Sequence, residues 1–153
     1  MTSPKILLAT ALLAFLTISP KVTAHCQVPC GIYNDSARFV MLNEHITTIE
    51  KSMNQINELS ASESKNMNQI VRWVNNKEDH ANAFSEIVSY YFMAQRVKPV
   101  SEGTADEMSA YLKKVELLHN LIVLSMKCKQ SSDIALILKL RGKLDQFEKA
   151  YFS

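Results

Sequence analysis

The sequence predicts an all-α protein, an antiparallel four-helix bundle. Three observations carry this. Apolar residues recur at spacings of three and four in four successive stretches, the pattern of a helix with one apolar face. The 153 residues include only three glycines, and the interior shows little hairpin punctuation. The connections between stretches are short, which favours antiparallel neighbours.

In the first stretch Phe39, Leu42, Ile46, Ile49, Met53 and Ile56 mark one face, with Asn34, Asp35 and Ser36 available to cap its start. Ser60 and Glu63 have the spacing of a capping box for the second helix. Its face is Met67, Ile70, Val71, Val74, Ala81, Phe84, Ile87, Val88 and Tyr91, and the run ends near Pro99 and Gly103. Thr104 and Glu107 read as another capping box, followed by Met108, Tyr111, Leu112, Val115, Leu118 and Ile122. Ser131 or Ser132 can cap the fourth helix, where Ile137, Leu140, Leu144, Phe147 and Tyr151 repeat. Packing four such stripes together removes them from water. Trp73, Tyr90 and Phe92 are surplus to the stripes and suit either a subunit interface or the core.

The first 33 residues carry different chemistry. Lys5 supplies a positive start, Ile6 to Ile18 an apolar run, and Val22-Thr23-Ala24 the small residues a signal peptidase needs. Residues 1–24 therefore read as a cleaved secretory signal peptide and residues 25–153 as one mature domain. The apolar run is short of the roughly 20 residues that span a bilayer, so no membrane association is expected after cleavage. The product is expected to be exported, to a periplasmic, extracellular or lumenal space. Losing Lys5 and Lys21 lowers the basic residues from 17 to 15, matching the 15 acidic ones, so the formal charge of +2 falls to zero. Composition gives no reason to expect nucleic acid as a partner.

Cleavage after Ala24 exposes His25-Cys26-Gln27-Val28-Pro29-Cys30-Gly31-Ile32-Tyr33 as the new N-terminus. A free α-amine, an imidazole, a backbone amide and a thiol then lie within two residues, with a second thiol four residues on. Such nitrogen and sulfur donors suit a late first-row transition metal. Taken alone, Cys26 and Cys30 also allow a small disulfide loop. Cys128, between two lysines with no His or Cys nearby in sequence, reads as a free thiol without a metal role. His45, His80 and His119 lie on separate helical stretches without Glu-x-x-His or His-x-x-x-His spacing, and read as surface or hydrogen-bonded structural histidines. Cys-x-x-Cys-His, nucleophile-elbow and phosphate-loop motifs are all missing from the sequence.

His-Cys-x-x-Pro-Cys-Gly-x-Tyr at a processed terminus resembles the hook of nickel-containing superoxide dismutase, with all six fixed residues present: His25, Cys26, Pro29, Cys30, Gly31 and Tyr33. The resemblance implies disproportionation of superoxide to dioxygen and hydrogen peroxide by Ni(II)/Ni(III) cycling, with one nickel ion per subunit and assembly as a homohexamer. It implies metal ligation by His25, Cys26 and Cys30: the His25 amine, the Cys26 amide and the two thiolates in the plane, with the His25 imidazole axial. Tyr33 is implied beside the open metal face as the catalytic residue that orders water, or as a residue packing the hook on the bundle. The same donors would also serve a non-catalytic exported nickel- or copper-binding bundle.

Three positions depart from the family pattern. Gln27 stands where some relatives have an acid. Relatives commonly carry a glutamate two residues after the arginine that opens the first helix, hydrogen-bonded to the axial imidazole. Here Arg38 is followed by Phe39 and Val40, and valine accepts no hydrogen bond. Glu44 is the nearest replacement. His80 corresponds to an arginine found on the second helix of some relatives.

Overall fold

The computed structural model describes residues 34–153. Four helices follow in order: α1 (Asp35–Ala61), α2 (Met67–Glu86), α3 (Ala105–Gln130) and α4 (Ala135–Phe152). A π-helical segment, Ile87–Arg96, continues α2 without a break. Each helix packs on its neighbour in sequence, and α1 also packs on α4, which closes the bundle.

Cross-helix hydrogen bonds fix the directions. His45 and Ser52 of α1 meet His80 and Asn76 of α2, so the numbering runs oppositely along the pair. Lys77 and Ala81 of α2 meet Lys129 and Ser125 at the far end of α3. Asp35 at the start of α1 meets Tyr151 at the end of α4, and Glu50 meets Arg141 midway. These three pairs are antiparallel, as the short connections predict for α1 with α2 and α2 with α3.

The core is the meeting of the four stripes. Every α1 residue assigned to the apolar face is buried, as are Ile137, Leu140, Leu144 and Phe147 of α4. At one end Phe39, Phe92, Phe147 and Tyr151 form an aromatic cluster with centroids 4.8 to 5.7 Å apart, offset or edge-on as ring quadrupoles favour. Phe92 is therefore core, whereas Tyr90 is exposed and Trp73 half-buried.

Helix ends show which sequence signals held. Asn34 caps α1 by accepting a hydrogen bond from the Ser36 amide. The Thr104–Glu107 capping box is complete, each side chain bonding the other's backbone N–H. Gly103 permits it: a Cβ there would lie 2.6 Å from Val100 Cγ1 and 3.0 Å from Glu107 Oε2. The other two expected caps do not form. α1 runs through Ser60 to Ala61, and Asn66 caps α2 instead, accepting from the Gln69 amide. Ser131 accepts from Asp133 N–H and Asp133 from Ala135 N–H, a turn that launches α4 without a side-chain N-cap.

Two stripes are also rotated from expectation. Met67 and Val71 of α2 and Leu112 of α3 are more than half exposed. Leu117, Leu121 and Cys128 carry the buried face of α3 alongside Leu118. Among the described residues, no helix is long and apolar enough to cross a membrane.

Candidate metal centre

His25, Cys26, Cys30 and Tyr33 lie outside the described residues. Among the described residues, the structure shows a polar platform at the start of α1 and a second polar cluster between α1 and α2.

The platform is Asp35, in the first turn of α1. Its carboxylate accepts hydrogen bonds from Tyr91 Oη and, at 2.9 Å, from Tyr151 Oη. Arg96 Nε lies 2.9 Å from the same carboxylate, and Arg96 Nη2 donates to Tyr91 Oη at 2.9 Å. The Arg38 and Arg96 guanidiniums lie 4.9 and 5.0 Å from the Tyr91 ring centroid. One carboxylate thus ties α1 to the π-helical segment and to α4. The π geometry places residues five apart above one another, which is what lets Arg96 reach Tyr91. Burial pushes the Asp35 pKa up, but the two tyrosine hydrogen bonds and the Arg96 charge outweigh it and hold the carboxyl below its ordinary value. Burial and the Asp35 hydrogen bond raise the Tyr91 and Tyr151 hydroxyls, keeping both protonated as donors.

A second polar site lies between α1 and α2. His45 Nδ1 and His80 Nδ1 are 2.9 Å apart, with the ring planes at 62°. The two rings border a groove of about 620 Å³ shared with Val40, Asn43, Glu44, Thr47 and Thr48. Burial, then the neighbouring His80, push the His45 pKa down against a smaller opposing pull from Glu44. Of the two readings, surface or hydrogen-bonded, both histidines take the hydrogen-bonded one, with each other as partner. Both sit one residue before a core position, Ile46 and Ala81, so each flanks its stripe and the antiparallel pairing brings them together. Nothing local in either helix encodes that meeting. His119 is exposed, as a surface histidine should be.

Val40 is 57% exposed on the wall of that groove and supplies no acceptor, while Glu44 lies one turn on along the same wall. Cys128 is a buried free thiol whose pKa burial pushes up to about 11. It stays protonated at neutral pH and is a poor ligand, in keeping with its expected lack of a metal role. Among the described residues, no group of three or more His, Cys, Asp or Glu converges to hold a metal. Of the helical residues that bear on the hook's departure, Asp35 was foreseen only as a cap. Its tyrosine and arginine partners, 56 to 116 residues away, left no local signal.

Residues 20–153 match the family model for nickel-containing superoxide dismutase, a span that includes the whole His25–Tyr33 motif. Neither a curated protein nor a solved structure matches the chain.

Proposed function

The chain belongs to the nickel-containing superoxide dismutase family, and from that membership we propose that residues 25–33, freed by cleavage after Ala24, form the hook that holds its nickel. The protein is a nickel-dependent superoxide dismutase. The observation that carries the hook reading is the donor set at His25-Cys26 and Cys30, which no other part of the sequence duplicates.

The donors fit the metal. Two thiolates and an ionised amide are strong electron donors, and a planar nitrogen–sulfur set suits nickel(II). The His25 amine becomes available only once the bond to Ala24 is cut, so export processing and assembly of the site are one event. The His25 imidazole would supply a further nitrogen donor. When bound, nickel supplies the one-electron couple through which one superoxide is oxidised to dioxygen and another, with two protons, is reduced to hydrogen peroxide.

The chain's own residues then position and restrict. Pro29 fixes φ in the turn that returns Cys30 toward Cys26. Gly31 leaves room for close backbone approach after the second ligand. Tyr33 would order water and limit access to the metal, or pack the hook on the bundle. Asp35 anchors the first turn of α1 two residues beyond Tyr33, so the hook leaves from a point held by three elements. Exposed apolar side chains on every helix, among them Val40, Val71, Leu112 and Leu138, support assembly into a homohexamer of the mature, exported chain.

Ligand substitution tests the hook. Cys26→Ser and Cys30→Ser should each abolish nickel binding and turnover while the far-ultraviolet circular dichroism stays that of the bundle. Cys128→Ala, in the core on α3, should keep nickel and turnover with some loss of stability. Nickel lost from Cys128→Ala but retained in both hook variants would place the site elsewhere.

A further inference from the structure

The seam between α1 and α2 is polar at two levels, Ser52 with Asn76 and, two turns away, His45 with His80. We propose that His45 and His80 form a transition-metal site that takes copper(II) or nickel(II) on two imidazole nitrogens, with water completing the coordination. The proposed ligands are helical residues alone.

The distance selects the metal class. Two nitrogens about 2.05 Å from one metal are about 2.9 Å apart at a right angle, and about 3.3 Å apart at a tetrahedral angle. The observed Nδ1···Nδ1 separation is 2.9 Å. It matches neighbouring positions of a square or octahedral centre, the geometry of copper(II) and nickel(II), and not tetrahedral zinc. Packing holds the separation, since each ring flanks a fully buried residue, Ile46 on α1 and Ala81 on α2.

Access and charge agree. The pair opens on the groove of about 620 Å³, which has room for bound water and carries the Glu44 carboxylate on its wall. Burial and the paired ring keep His45 in the neutral form that ligates. Among the described residues no third histidine, cysteine or carboxylate completes a cluster, so the coordination is open and exchangeable. On two nitrogens copper(II) binds more tightly than nickel(II).

The test titrates copper(II) into the nickel-loaded mature protein and, separately, into its His25→Ala/Cys26→Ser/Cys30→Ser variant. In both, electron paramagnetic resonance should show one tetragonal copper signal with hyperfine coupling to two imidazole nitrogens. That signal should be lost in His45→Gln and in His80→Gln and retained in His119→Gln. In the unsubstituted protein, copper should selectively broaden the His45 and His80 ring resonances, a readout that needs no variant to fold. A copper signal that survives both His45→Gln and His80→Gln would overturn the site. So would unbroadened rings with a single proton shared between them, because the 2.9 Å contact would then be only a hydrogen bond. Because the His25→Ala/Cys26→Ser/Cys30→Ser protein keeps neither the hook imidazole nor its thiols, its copper result stands whether or not the hook reading does.

Discussion

Asp35 is the residue on which the most contacts at the site's base converge. With its folded-state pKa held below the ordinary 3.8, the carboxylate form is favoured in the fold. Above pH 3.8 the unfolded chain is ionised too, and the stabilisation is fully present. As pH falls below 3.8 the unfolded chain takes up its proton first, and the stabilisation is lost until the folded-state pKa is passed. Asp35→Asn should therefore lower stability by roughly 1–3 kcal/mol at pH 7, the value of hydrogen bonds to a charged group. The difference from the parent protein should shrink between pH 4 and pH 2. Thermal melts at a series of pH values read this directly, and a difference independent of pH would show that the carboxylate charge contributes nothing. Sequence marked Asp35 only as a possible cap. Its partners Tyr91, Arg96 and Tyr151 come from two other elements, and only the closed bundle assembles them.

At the scale of the elements, the buried Lys77 ammonium ends α3 from outside. It donates to the Lys129 and Ser131 carbonyls at 2.7 and 3.1 Å, where the helix leaves acceptors unpaired and its dipole is negative. Burial pushes the Lys77 pKa down, against a smaller opposing pull from Glu78. Lys77→Met should keep the stem's packing and leave those carbonyls without their donor, costing roughly 1–3 kcal/mol. A urea midpoint unchanged by the substitution would contradict this. Lys77 also shows why α2 and α3 were read less accurately than α1 and α4. A charged residue occupies the buried face of α2, and Val71 and Leu112 stand in helical register with the core yet face outward. Periodicity cannot separate an apolar residue that packs from one left exposed beside it. Where the signal was local, as in the reciprocal Thr104–Glu107 pair, the expectation held. Where it required a partner on another helix, as for His45 and His80, hydrogen bonding was foreseen but the partner was not.

For the whole molecule, the bundle leaves apolar side chains on all four helices and nearly balances its charges once residues 1–24 are gone. A neutral surface with apolar patches favours self-association over repulsion. Light scattering on the size-separated mature protein should give six times the chain mass, and a monomer at micromolar concentration would exclude the hexamer. The proposed hook is read from sequence alone, since its donors are close together in the chain and lie outside the described residues. The residues that orient it are spread along the helices, and the family's usual glutamate is replaced at Val40 by a side chain without an acceptor.

The central claim is that the amine of His25 is itself a metal donor, made by cleavage. The most direct measurement compares nickel content and superoxide turnover of two proteins whose first residues are verified by intact mass. One begins at His25 and the other carries one additional residue before it. The account predicts stoichiometric nickel and full turnover for the first. For the second it predicts turnover abolished over an unchanged helical spectrum, because an acylated nitrogen is a poor substitute for a free amine. Near-normal turnover from the extended protein, with its extension intact, would contradict the proposed ligand set.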